Sequence, residues 1–230
     1  MRMNESVTGR LYDLWSAFYD HTFGALVHRR QHRALDQFHF EPGDRVLDLG
    51  AGTGMTLPHY PDDVTVVAVD LSEGMLRKAQ TRCREQNLTN CHLAIADALH
   101  PPLAERSFDH ILISHTVSVV SKPARLMQWA ARLIKPGGRV VVLNHFRSPN
   151  PMVGWFEKVL NPLFVKIGWR SDLTFEESMR GVNLEVEYAF HLSMGDIWKI
   201  VVLKAPVEGQ PSTAPPTPHP PVTPSVSASG

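Results

Sequence analysis

The chain has 230 residues, enough for one well-buried domain and too few for two comfortable ones. Apolar residues make up 43% of it, and 23 basic side chains balance 23 acidic ones, which argues against wholesale disorder and against a general nucleic-acid binder, a class that carries a basic excess. Two cysteines, Cys83 and Cys91, are too few for a disulfide framework and read as reduced thiols of a cytosolic protein; the polar first ten residues hold no secretory signal, no apolar run reaches the ~18 residues of a spanning helix, and no metal-ligand set is read.

Residues 1–40 read as an amphipathic helical cover. Leu14, Trp15, Phe18, Phe23, Leu26 and Val27 precede the basic run His28-Arg29-Arg30-Gln31-His32-Arg33. Such a segment can cover a pocket and attract an anionic surface. From residue 41 to 204 strands alternate with helices. An apolar strand at 45–49 runs into Gly50-Ala51-Gly52-Thr53-Gly54, which is expected to open a helix. A second strand, 64–69, ends in Asp70. Ser72 caps a helix running to about Asn87, with Met75, Leu76 and Ala79 on its apolar side. Strands follow at 91–96 and 109–114. A helix at 123–134 is stopped by Lys135-Pro136-Gly137-Gly138, and a fifth strand covers 139–143.

The interval 146–181 reads as an acceptor-side insertion or lid. Its stretch 151–169 is aromatic-rich, with Lys158, Lys166 and Arg170 interspersed, a pattern suited equally to a membrane interface and to a helix packed over the site. Residues 182–192 and 197–203 form a closing hairpin that turns at Met194-Gly195-Asp196. Residues 205–230 hold eight prolines and neither lysine nor arginine, so they are read as a disordered tail outside the fold.

This succession predicts an α/β, Rossmann-like, mostly parallel sheet with helices on both faces and an antiparallel strand at one side. Ligands of such sheets bind beyond the carboxyl ends of the strands, which directs attention to Asp48, Asp70, Asp97 and Ser114 to Thr116. The loop is G-x-G-x-G rather than the G-x-G-x-x-G of a dinucleotide site, and Asp48 stands two residues ahead of it. A carboxylate there repels a pyrophosphate and suits a ligand bearing an ammonium or sulfonium, which favours S-adenosylmethionine over a nicotinamide cofactor. Asp70, at a strand end about 20 residues past the loop, can accept both hydroxyl protons of a ribose. Asp97, with the Ala98 amide nearby, can hold an adenine amino group.

Asp48-x-Gly50-x-Gly52-x-Gly54, Asp70, Ala96-Asp97-Ala98 and Leu133-Ile134-Lys135-Pro136-Gly137-Gly138 together resemble the class I S-adenosylmethionine methyltransferases. The resemblance implies a seven-stranded sheet whose last strand is antiparallel. The segment after the fourth strand, Ser114 to Val120, lacks the Asn-Pro-Pro-Tyr-like element of adenine and amide N-methyltransferases, so nucleic acid is not expected as a partner. A closer likeness, carried by Leu71-Ser72-x-x-Met75-Leu76-Arg77-Lys78-Ala79, Val117-Ser118-Val119-Val120, Asn144-His145-Phe146, Trp155-Phe156-Glu157-Lys158 and Gly168-Trp169-Arg170, is to the bacterial phosphatidylethanolamine N-methyltransferases. It implies a phospholipid or other amino-lipid substrate, such as an ornithine lipid, and a cytoplasmic enzyme resting on the inner face of the membrane. Transfer to a quinone-ring carbon or a soluble amine, and a non-catalytic binding module, stand as alternatives.

The expected cofactor residues are Asp48, Gly50, Ala51, Gly52, Thr53, Gly54, Asp70, Leu71, Met75, Asp97, Ala98 and Ser114. Methylation of an amine needs a free lone pair, so a side chain must accept the ammonium proton or orient the neutral amine. His145 and His115, at the ends of the fifth and fourth strands, and Tyr19, on the N-terminal cover, are the candidates.

Overall fold

The computed structural model describes residues 24–148, 155, 159, 170–193 and 196–207. Its strands are β1 (Arg45–Leu49), β2 (Thr65–Asp70), β3 (Cys91–Ile95), β4 (Phe108–Ser114), β5 (Ile134–His145), β6 (Glu185–Phe190) and β7 (Trp198–Lys204). They form one sheet in the order β3-β2-β1-β4-β5-β7-β6. The first five run parallel, and β7 is antiparallel to both β5 and β6. The expected fold class is therefore what forms. Among the described residues the helices are α1 (Gly24–Leu35), α2 (Glu73–Glu85), α3 (Pro123–Leu133) and the single turn α4 (Phe175–Ser178).

The two-residue period of the strands divides the core between the two faces of the sheet. On one face, Leu126, Met127, Ala130 and Leu133 of α3 pack on Leu47, Leu49, Ile111, Ile113, Val140 and Val142. On the other, Ala34 and Leu35 of α1 and Ala79 of α2 pack with Val46, Val66, Leu112, Val141 and Leu143. Leu126 is fully buried, and truncating such a side chain to Ala costs about 2–5 kcal/mol. β1 and β4 lie side by side and parallel at the centre, and the sheet grows outward from them in opposite directions, β1 to β3 on one side and β4 onward on the other. That switch point opens a crevice at their carboxyl ends.

The structure departs from expectation at three places. The glycine loop leads only into a 3₁₀ turn, Leu57–His59, and not into an α-helix. Pro58 lies in its first turn and Pro61 follows two residues after it, so neither residue supplies the N–H a longer helix needs. The Lys135-Pro136-Gly137-Gly138 run is inside β5, not ahead of it. Ile134 pairs with Phe108, and the register then shifts before His110 meets Arg139. A Cβ at Gly138 would lie 2.8 Å from the Asp109 carbonyl oxygen, so this bulge requires glycine. Finally, Ala205 is 5% exposed, donates to the Gly138 carbonyl at 2.9 Å and accepts from Gly137 N at 3.1 Å, so ordered pairing continues past the expected domain end at 204.

Ser72 caps α2 as expected, its Oγ accepting from Met75 N at 3.2 Å. Within the basic run on α1, Arg30 ties the helix to a distant part of the chain. Arg30 makes an ion pair with the fully buried Asp196 side chain at 3.0 Å, and its guanidinium lies 4.5 Å above the Trp198 ring. Burial opposes ionisation of Asp196, yet Arg30 and the Trp198 amide hold its pKa below the usual carboxylate value. These contacts seat α1 beside the start of β7. Tyr19 and the rest of residues 1–23, most of the 149–169 stretch, Met194-Gly195 and residues 208–230 lie outside the described residues.

Candidate active site

The glycines of the loop all have positive φ, +85° at Gly50, +57° at Gly52 and +71° at Gly54, but their surroundings differ. A Cβ on Gly50 would collide with the Thr116 side chain, and one on Gly54 would lie 2.7 Å from Leu57 Cδ1 and 2.9 Å from Ala79 Cβ. Those two let the loop press against the exit of β4 and against α2. A Cβ on Gly52 would meet nothing within 4 Å. The space above Gly52 belongs to the crevice.

That crevice encloses about 1110 Å³ including its open mouth. Its walls bring together Gly50, Ala51, Gly52, Thr53, Asp70, Leu71, Met75, Asp97, Ala98, Ser114 and His115, from the ends of β1, β2, β3 and β4. Asp70 fixes the geometry of one side. Its Oδ2 accepts from Gly52 N at 2.8 Å and its Oδ1 from Ser72 N at 2.9 Å, so one carboxylate ties the glycine loop to the start of α2. A carboxylate oxygen can accept more than one hydrogen bond, so this is the acid placed to meet a ligand hydroxyl at the crevice wall. Asp97 holds its own turn, with Oδ1 accepting from Leu99 N at 2.8 Å. Leu71, Met75 and Leu99 supply flat apolar wall between the two acids. The set matches a nucleoside: a diol acceptor, an apolar slot, a polar edge, and a backbone cradle that a side chain at position 52 would fill.

Three expected residues are not on these walls. Gly54 packs against α2. His145 is 4% exposed, and its Nδ1 donates to the Ile197 carbonyl at 2.8 Å, since a carbonyl can only accept. Asp48 is 1% exposed beneath the loop, where its Oδ2 accepts from Thr56 Oγ1 at 2.5 Å and from Tyr60 Oη at 3.1 Å. Its Oδ1 is buried without a hydrogen-bond partner. Burial raises the Asp48 pKa from 3.8 to about 6, against the pull of Thr56 and Tyr60 and with some help from Asp70. Asp48 therefore anchors the turn behind the loop. The sign argument built on it, a carboxylate facing the ligand, does not describe its position.

One end of the crevice is lined by Gln31 of α1 together with Ser114 and His115. His115 lines it in a left-handed conformation, φ +59°, with its amide donating to the Leu143 carbonyl at 2.7 Å. A non-glycine residue held there is uncommon, and such strain clusters at functional sites. Burial, and then the Arg30 charge, push its pKa down to about 4, so the ring is neutral at physiological pH. Its Nε2 is buried and has no hydrogen-bond partner. Gln31 reaches the same wall from α1, its Nε2 donating to Ser114 Oγ at 3.3 Å and its Oε1 buried without a partner. Beneath them Asn144 Oδ1 accepts from Ser118 N and Oγ at 3.3 and 3.2 Å, which pins the Val119–Val120 wall to β5.

Gln31 escaped the sequence reading because its place depends on α1 docking through Arg30 and Asp196, 166 residues apart. Met55 and Ser72 also line the crevice, and their adjacency to the glycine loop and to Asp70 was a usable signal. Cys83 and Cys91 are free thiols, and burial pushes the Cys91 pKa up to about 12.

Residues 47–142 match the family model of a methyltransferase domain. The chain is 32% identical over 197 residues to a phosphatidylethanolamine N-methyltransferase of Cereibacter sphaeroides, covering 85% of this chain and 96% of that one. It is 35% identical over 130 residues to a demethylmenaquinone methyltransferase of Clavibacter sepedonicus, covering 54% and 52%. A geranyl diphosphate methyltransferase solved with S-adenosylmethionine superposes with a TM-score of 0.64 at 16% identity, over 84% of this chain and 90% of that one, a likeness of fold. With the sheet order and the nucleoside-shaped crevice already in place, identity along nearly a whole relative makes the conclusion plain: the chain belongs to the class I S-adenosylmethionine-dependent methyltransferases, and S-adenosylmethionine is its cofactor.

Proposed function

We propose that the chain methylates the head-group amine of a phospholipid such as phosphatidylethanolamine. The observation that carries this reading is the pair of buried, unpartnered polar atoms over the acceptor end, Gln31 Oε1 and His115 Nε2. A buried acceptor without a donor costs about 1–3 kcal/mol, and an amine N–H is the donor that would satisfy it. The long relationship to the Cereibacter enzyme supports the same substrate class.

In this reading Asp70 binds the ribose diol, Asp97 and the Ala98 amide the adenine edge, and Gly52 leaves room for the amino-acid end of the cofactor. When bound, the cofactor supplies a methyl group activated by a sulfonium. Gln31 accepts one N–H of the acceptor amine, and His115 accepts another at its lone-pair nitrogen, aiming the amine lone pair along the line of displacement. A ring nitrogen whose pKa is about 4 binds a proton weakly, so His115 orients the neutral amine, and the ammonium proton departs to solvent before the amine is enclosed. Of the three candidates considered above, His145, His115 and Tyr19, this reading gives the part to His115.

Contact with anionic membrane belongs to the same proposal. Trp155 and Val159 are helical, one turn apart, and 58% and 52% exposed; Leu71 at the crevice mouth is 47% exposed. Among the described residues no helix is long and apolar enough to cross a bilayer.

The quinone-ring reading retains support from the Clavibacter relative. Labelled S-adenosylmethionine offered with vesicles of phosphatidylethanolamine, and separately with a demethylated quinol, decides between them. Label in the lipid, with kcat reduced about 10–100-fold in Gln31→Leu and in His115→Leu at unchanged cofactor affinity, is expected. Label in the quinol alone would overturn the lipid assignment.

A further inference from the structure

Where α1 meets the turn that follows the glycine loop, three histidines converge. His28 and His32 are one helical turn apart on α1 and so share a face. His59 ends the 3₁₀ turn. The ring centroids are 4.6 Å apart for His28 and His32, 5.1 Å for His28 and His59, and 3.7 Å for His32 and His59. One ligand-capable atom from each lies within 4.8 Å of the other two, and His28 Nε2 is 3.2 Å from His59 Nε2. Two nitrogens bound tetrahedrally to one zinc ion, at about 2.0–2.1 Å each, stand about 3.3–3.4 Å apart. The Nε2–Nε2 separation of His28 and His59, 3.2 Å, is close to that spacing.

We propose that His28, His32 and His59 bind one divalent cation of the zinc class, with the fourth position left to water. An all-imidazole set selects Zn²⁺, Ni²⁺, Co²⁺ or Cu²⁺ and gives nothing to Mg²⁺ or Ca²⁺, which require oxygen ligands. No carboxylate belongs to the cluster, and the Arg82 charge lies close, so the affinity is set by the imidazoles alone. His28 is exposed, which gives the ion a path in from solvent.

The half of the site contributed by the turn is rigid, because His59 N donates to the Thr56 carbonyl at 3.0 Å and Thr56 Oγ1 donates to Asp48. The other half is α1, which carries Gln31 to the acceptor wall. A bound cation therefore fastens the helix that roofs the acceptor end to the turn behind the cofactor loop, and it stabilises that docked arrangement by mass action.

The test uses the full-length protein, with Zn²⁺ and Co²⁺ as probes and Mg²⁺ as control. Calorimetry is expected to give one Zn²⁺ per chain. Co²⁺ should develop the strong visible absorption of a tetrahedral site, and Zn²⁺ but not Mg²⁺ should raise the melting temperature. His28→Ala and His59→Ala should each weaken Zn²⁺ binding about 100-fold or more and abolish the Co²⁺ band. His28 is exposed, so its variant folds normally, and unchanged binding of S-adenosylmethionine verifies this in both variants. Absence of binding at millimolar Zn²⁺, or stoichiometric binding that survives both substitutions, overturns the proposal and leaves the cluster a packing contact of α1.

Discussion

Replacing Asp48 by Asn isolates the cost of keeping a carboxylate beneath the glycine loop. The side chain is 1% exposed, and burial raises its pKa from 3.8 to about 6 in spite of hydrogen bonds from Thr56 and Tyr60. At about 1.4 kcal/mol per pKa unit, the ionised form is disfavoured in the folded chain by about 3 kcal/mol. Between pH 3.8 and about 6 the folded chain thus binds more protons at this site than the unfolded chain does. The stabilising contribution is complete below the unfolded value and is lost as pH rises through the folded one. Asn keeps an acceptor for Thr56 and Tyr60 and never ionises. Its unfolding free energy relative to wild type should therefore improve by about 2.5 kcal/mol between pH 4 and pH 8, or roughly 5–10 °C in melting temperature for a chain of this size. Urea unfolding of both proteins across that range measures the difference, and histidine titrations common to both cancel. A difference that is constant with pH, or that moves against the variant as pH rises, would refute the burial argument.

Gly52→Ala and Gly54→Ala should separate ligand space from packing space. The first adds a methyl where the protein leaves 4 Å free, so cofactor affinity should fall at least tenfold by calorimetry with only about 1 kcal/mol of backbone strain. The second drives a methyl against Leu57 and Ala79 and should lower stability by about 1–3 kcal/mol in urea. Asp70→Ala removes the shared acceptor of Gly52 N and Ser72 N as well as the proposed ribose grip, and should weaken S-adenosylmethionine binding about 10–100-fold; an unchanged dissociation constant would remove Asp70 from the cofactor site. Trp155→Asp should reduce co-sedimentation with anionic vesicles while leaving cofactor binding unchanged, and equal sedimentation of the two proteins would exclude this residue from membrane contact.

The alternation of strands and helices, the glycine loop, and the acidic residues at the ends of β2 and β3 are all legible in the order of the amino acids. Each of these is a local signal: a two-residue apolar period, a cap such as Ser72, a positive-φ position such as Gly52. The identity of the fold followed from their order, because parallel strands joined by right-handed crossovers admit few arrangements. Tertiary structure alone decided which side of the loop Asp48 faces. Aspartate reads the same in sequence whether it points to solvent or into a core, and here Thr56 and Tyr60 draw it inward. Only the folded chain likewise brings Gln31 over His115, and His59 against His28 and His32. Those meetings depend on α1 being seated by Arg30 on Asp196, a contact between distant parts of the chain that no local pattern encodes.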